Sequence, residues 1–109
     1  MDDMTILLIE DTSLLADLYT EYLREESTNI VHVSTGAEAF DYFTSHAPDI
    51  VLLDMKLPDV DGIDILKFIS ESGLKCCVIV ITAYGSVSRV VDAMRLGAFE
   101  YLQKPFDKS

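Results

Sequence analysis

Four short hydrophobic runs in this 109-residue chain each lead into residues that could do chemistry. Thr5–Ile9 runs into the acid pair Glu10-Asp11, and Ile50–Leu53 runs into Asp54. Val78–Ile81 is followed by Thr82-Ala83, and Phe99–Leu102 is closely followed by Lys104-Pro105. If the first and third strands of a sheet are neighbours, three carboxylates converge at one edge. Two unit charges about 4 Å apart repel by about 4 kcal/mol at an effective dielectric near 20, so such a cluster holds either protons or a cation. Hard oxygen ligands at a partly open site suit Mg²⁺, which keeps several waters and bridges carboxylates to phosphate. Lys104 can bring an ammonium to Asp54 or to a phosphoryl oxygen. Thr82 offers a hydroxyl donor, and the small Ala83 exposes its backbone N–H. The set suits phosphoryl transfer to a carboxylate, with Asp54 as nucleophile. The metal and Lys104 would neutralise the equatorial oxygens, and positioning would supply most of the catalysis.

Taken singly, each residue has a structural explanation. Glu10 and Asp11 suit the start of a helix, where acids complement the dipole. Asp54 can cap the turn before Pro58, Thr82 can be a turn hydroxyl, and Lys104 can be a solvated surface lysine. Their joint occurrence at the ends of four expected strands is what favours a site.

The elements that must position these residues follow from periodicity. Continuous apolar runs such as Thr5–Ile9 fit strands buried on both faces. Asp11-Thr12-Ser13 offers caps for a helix to about Glu26, with Leu15, Leu18, Tyr22 and Leu23 on one stripe. Ile30–Val33 is a second strand. Thr35 with Glu38 three residues on reads as a capping box, opening a helix to about Ser45 with Ala39, Phe40 and Phe43 inward. A third strand, Ile50–Leu53, follows Pro48. The next helix spans Gly62 to Ser72, with Ile63, Leu66 and Ile69 inward and Gly73 as its stop. Val78–Ile81 is the fourth strand. A helix over Ser86–Leu96 offers Val87, Val90, Val91 and Met94 for packing, and Phe99–Leu102 is a fifth, shorter strand. Alternating strands and amphipathic helices predict an open parallel sheet covered on both faces. Ligands in such folds sit beyond the carboxyl ends of the strands, where the strand order reverses.

Bulk properties narrow the function classes. The length fits one domain, and a chain of this size buries roughly two-thirds of its unfolded surface. Half the residues are hydrophobic, which argues against disorder. A formal net charge of −11 repels DNA phosphates and anionic membranes, so neither is an expected direct partner. Cys76 and Cys77 are adjacent, so an ordinary disulfide between them is disfavoured and buried free thiols are expected. That fits a reducing, cytoplasmic setting. The acidic start Met1-Asp2-Asp3-Met4 lacks the basic opening of a signal peptide, and no apolar run approaches the ~20 residues of a membrane-spanning helix.

The ordered set of Glu10-Asp11, Asp54, Pro58, Gly62, Thr82-Ala83 and Lys104-Pro105 resembles the receiver domains of two-component response regulators, over nearly the whole chain. The resemblance implies a flavodoxin-like (CheY-like) five-stranded parallel sheet in the order 2-1-3-4-5, with helices on both faces. It implies that Asp54 is the phosphoacceptor, and that Asp11, Asp54 and the backbone carbonyl of Lys56 bind Mg²⁺, with Glu10 helping through water. It assigns phosphoryl contacts to Thr82, Ala83 and Lys104, and switch roles to Thr82 and Tyr101. Within the family, Thr82–Ser86, Ala93–Ala98 and Lys104–Asp107 are similar to regulators of the NtrC type, which couple a receiver to a sigma-54-activating ATPase. Glu10-Asp11-Thr12 and Leu18-Tyr19 are similar to the LuxO branch of that type.

The implied partners are a histidine kinase or phosphotransfer protein, a C-terminal output domain that regulates transcription, and a second copy in a homodimer. Such a domain is not an ordinary enzyme, although it assists its own phosphorylation and dephosphorylation. Family members carry a fifth helix after the Lys104-Pro105 pair. The sequence stops at Ser109, so that helix and the output domain are expected beyond it, leaving apolar sheet surface uncovered. Three rivals make different demands. A pseudo-receiver would dispense with the acid pair, Asp54, Thr82 and Lys104, all of which are present. A haloacid-dehalogenase-like phosphatase needs a second Asp two residues after the nucleophile, where this chain has Lys56. A flavodoxin-like flavin carrier needs a hydroxyl- and glycine-rich loop where Glu10-Asp11 stands.

Overall fold

A computed structural model describes residues 4–23, 28–82 and 87–103. The elements alternate along the chain: β1 (Met4–Ile9), α1 (Ser13–Leu23), β2 (Thr28–Val33), α2 (Gly36–Phe43), β3 (Ile50–Asp54), α3 (Gly62–Ser72), β4 (Cys77–Thr82), α4 (Val87–Arg95) and β5 (Glu100–Gln103). The strands form one sheet in the order β2-β1-β3-β4-β5, and every pairing is parallel. This is the expected doubly wound order. The chain winds outward from β1 to β2, then returns to β3 on the other flank of β1. The reversal leaves a crevice beyond the carboxyl ends of β1 and β3.

Strand pleat divides the core between two layers. Leu7, Ile9, Val51, Leu53, Val78 and Val80 face one side with Ala39, Phe43, Ile65, Leu66, Ile69 and Ala93 of α2, α3 and α4. Ile6, Leu8, Leu52 and Ile81 face the other side with Ala16 of α1. Both faces of the central strands are therefore buried, which explains their unbroken apolar sequence.

Helix boundaries follow local chemistry. Thr35 caps α2 by accepting the Glu38 N–H at 3.1 Å. The reciprocal half of the capping box is displaced by one residue, because the Glu38 carboxylate accepts the Ser34 N–H at 2.9 Å. Asp61 caps α3 through the Ile63 N–H at 3.0 Å, and Gly73 ends that helix at φ +78°, a left-handed conformation glycine adopts without a Cβ penalty.

Two packing expectations change. On α4, Val91 and Met94 are exposed and Ala93 is buried, while the Val87 side chain lies outside the described residues. Cys76 and Cys77 are free but only half-buried at the edge of the core. Burial pushes the Cys76 thiol up, and neighbouring Cys77 adds to the effect. No helix among the described residues is long and apolar enough to cross a membrane.

Candidate functional site

The acid pair follows directly from the end of β1. Ile9 pairs with Val33 on one side and Leu53 on the other, and the Glu10 N–H continues that pattern to the Val33 carbonyl at 3.0 Å. Glu10 is thereby held at the switch point with its residue fully buried. Its Oε2 accepts the Thr12 N–H at 3.3 Å, which folds the start of the β1–α1 loop back on the side chain. Asp11, the next residue, is exposed.

β3 delivers Asp54, 3% exposed, to the same place. Its Oδ1 accepts the Lys56 N–H at 3.0 Å, which limits rotation of the carboxylate. The Met55 N–H donates to the Ile81 carbonyl of β4 at 3.1 Å, fixing the backbone immediately after Asp54. One carboxylate oxygen from each of Glu10, Asp11 and Asp54 lies within 4.8 Å of the others. Two of these residues are nearly or wholly out of water, where charge is costly unless it is compensated. Three hard oxygen donors, one on a residue open to solvent, fit a divalent metal ion that retains water ligands.

The β3–α3 loop is pulled tightly over this site. Lys56 and Asp61 form an isolated antiparallel bridge, and the Gly62 N–H donates to the Met55 carbonyl at 2.9 Å. A Cβ at Gly62 would lie 2.7 Å from Met55 Cα and 2.9 Å from the Asp54 carbonyl oxygen. Only glycine allows α3 to start this close to the end of β3. Farther along the loop, Asp59 reaches across to α2. Its Oδ1 accepts the Gly36 N–H at 2.8 Å and its Oδ2 accepts the Ala37 N–H at 3.0 Å. Those bonds, Gly36 first, hold the Asp59 carboxyl below the ordinary aspartate range.

The remaining expected site residues divide. Thr82 is the last residue of β4, one beyond Ile81, the partner of Asp54. Its side chain, together with Ala83 and Lys104, lies outside the described residues. Tyr101 stands on β5 opposite Val80 and is 43% exposed, and its N–H donates to Glu100 Oε1 at 3.0 Å. Lys56 lies in the tight loop, with its N–H on Asp54. Two contacts had no local signature in the sequence. One is the Asp59 clamp on α2. The other is His32, whose Nε2 lies 2.7 Å from the Glu10 backbone carbonyl. Its only hint was a polar residue interrupting the run Ile30-Val31-His32-Val33.

Comparison with known proteins identifies the family and the fold. The family model for the response regulator receiver domain matches residues 6–109. Regulatory protein LuxO of Vibrio vulnificus is 40% identical over 98 residues, covering 90% of this chain and 22% of the relative. The chain thus spans about a fifth of the length of that relative. Sporulation initiation phosphotransferase F of Bacillus subtilis is 37% identical over 102 residues, covering 94% of this chain and 82% of the relative. Among solved structures, the signal receiver domain of a LuxO repressor protein from Vibrio parahaemolyticus superposes with a TM-score of 0.94 at 37% identity. It covers 98% of this chain and 82% of the solved one.

Proposed function

The chain belongs to the response regulator receiver domain family, and from that premise we propose that Asp54 accepts a phosphoryl group in a Mg²⁺-dependent phosphorelay. The observation that carries this reading is the gathering of Glu10, Asp11 and Asp54 oxygens within 4.8 Å at the switch point of the sheet. The metal-binding set is Glu10, Asp11, Asp54 and the backbone carbonyl of Lys56. When bound, Mg²⁺ neutralises charge on the carboxylates and on the incoming phosphoryl oxygens.

A histidine kinase or phosphotransfer protein is the donor. An Asp54 carboxylate oxygen attacks the phosphorus of its phosphohistidine. The O–P bond forms, the P–N bond breaks, and the imidazole leaves with the bonding electron pair. The Lys56 N–H on Oδ1 orients the attacking carboxylate. Thr82, Ala83 and Lys104 bind the phosphoryl oxygens. The acyl phosphate then draws the Thr82 hydroxyl inward by a charge-assisted hydrogen bond, and Tyr101 turns from its exposed position to follow it. The surface around α4 and β5 changes with it, and that surface reports to a C-terminal output domain and a second copy. The NtrC-like segments of the sequence support a cytoplasmic transcription regulator of the sigma-54 type as the full-length protein, and the likeness to a regulatory protein is in keeping with regulation as its role.

The test is intact mass after incubation with acetyl phosphate, with and without Mg²⁺, beside Asp54→Asn. One Mg²⁺-dependent phosphoryl adduct, absent in the variant, is expected. No adduct on folded protein would overturn the reading in favour of a non-phosphorylated interaction module.

A further inference from the structure

The Glu10–Asp11 peptide carries both acids of the site, so its orientation decides where two of the three carboxylates can go. The preceding peptide, between Ile9 and Glu10, is fixed by the bond from the Glu10 N–H to the Val33 carbonyl. At the Glu10 carbonyl the strand pattern gives out, because β2 ends at Val33 and the chain turns into α2 at its N-cap, Thr35. A side chain donates there instead: His32 Nε2 lies 2.7 Å from the Glu10 carbonyl oxygen. A carbonyl oxygen can only accept, so Nε2 carries the proton in this contact. β2 therefore grips Glu10 at both ends, once through its backbone and once through an imidazole.

We infer that His32 is a positioning residue of the metal site, fixing the Glu10–Asp11 peptide so that both acids meet the cation. His32 is exposed on an edge strand, so burial in the core does not account for a ring here. Its bond to the peptide between the two acids is thus the main structural reason for an imidazole here. Partners that orient metal ligands without touching the metal commonly affect affinity by about 10–100-fold. His32 acts on a backbone carbonyl and not on a ligand atom, so the lower end of that range applies. The inference rests on the proposed Mg²⁺ site.

The experiment titrates the whole chain with Mg²⁺ alone, by calorimetry, for wild type, His32→Leu and His32→Gln. The glutamine amide nitrogen is the same number of bonds from Cβ as Nε2, so it can still donate to the carbonyl. His32→Leu is expected to weaken Mg²⁺ binding about five- to tenfold. His32→Gln is expected to stay within about twofold of wild type. Saturating Mg²⁺ should restore adduct formation from acetyl phosphate in His32→Leu. His32→Thr, which suits a strand and is too short to reach the carbonyl, should match His32→Leu and serves if leucine impairs folding. Wild-type affinity in both donor-lacking variants would overturn the inference, even if their metal-free melting temperatures fell. Equal weakening in His32→Gln would overturn the donor role. Wild type that binds no Mg²⁺ would overturn the receiver reading itself, and this inference with it.

Discussion

β3 is bracketed by two aspartates with opposite tasks. Asp49, just before the strand, accepts the Thr5 N–H on Oδ2 at 2.8 Å and donates its own N–H to the Thr5 carbonyl at 2.9 Å. Its carbonyl accepts the Cys77 N–H at 3.0 Å. One residue thus ties β1, β3 and β4 together where the strands begin. Asp54, at the strand's other end, is nearly buried and shares a 4.8 Å space with two further carboxylates. Side chain and strand are the same, so the surroundings make the difference. Each carboxylate accepts one backbone N–H, from Thr5 at Asp49 and from Lys56 at Asp54, but Asp49 is open to water while Asp54 is buried beside like charges. A carboxylate met by like charges favours whatever cation or electrophile relieves them.

Exchanging each aspartate for asparagine is the hardest test of this contrast. Asp54→Asn should abolish the phosphoryl adduct, whereas Asp49→Asn should retain it, both read by intact mass. Loss in both variants would erase the distinction. Gly62→Ala should cost about 1–3 kcal/mol by urea unfolding, because the new methyl meets backbone that cannot swing aside. It should also lower adduct yield by displacing the backbone at Asp54. A loss confined to stability would mean that the tight loop serves the fold and not the site. Asp49→Ala should cost about 1 kcal/mol in the same unfolding assay and leave adduct formation intact.

The smallest effect concerns Asp59, a third aspartate that works like Asp49. Its carboxyl is depressed in the fold by the Gly36 and Ala37 N–H groups. Its contribution is therefore full above the ordinary value of 3.8 and is lost as pH falls through the lower folded value. Urea midpoints of wild type and Asp59→Asn should differ by a constant amount near neutrality and converge in acid below that value. A gap that widens on acidification would contradict the clamp.

The sequence carried the architecture further than the contacts. The bounds of α3 were legible because Asp61, Gly62 and Gly73 punctuate them. β2 starts two residues before Ile30, at Thr28, since backbone pairing with Met4 and Thr5 needs no apolar side chain. Asp54 belongs to β3 itself, paired with Ile81, although its charge made it look like the residue beyond. The convergence of Glu10, Asp11 and Asp54 was readable because strand ends in a parallel sheet share one edge. Asp59 and His32 were not, because each reaches a backbone group 22 or 23 residues away. Local spacing encodes helices and strands, but a polar side chain reaching a backbone group far off in the sequence leaves no period to detect.

The strand that closes the sheet has its own consequence. β5 is four residues long and forms an outer flank, and Glu100 turns its carboxylate back onto the Tyr101 N–H. A free strand flank with vacant donors is a template on which another chain can polymerise. Here the flank is short, one donor is already taken, and the group that takes it is anionic on a molecule of net charge −11. A second molecule approaching to extend the sheet would meet repulsion before it met a hydrogen bond, so this flank resists fibril-like growth.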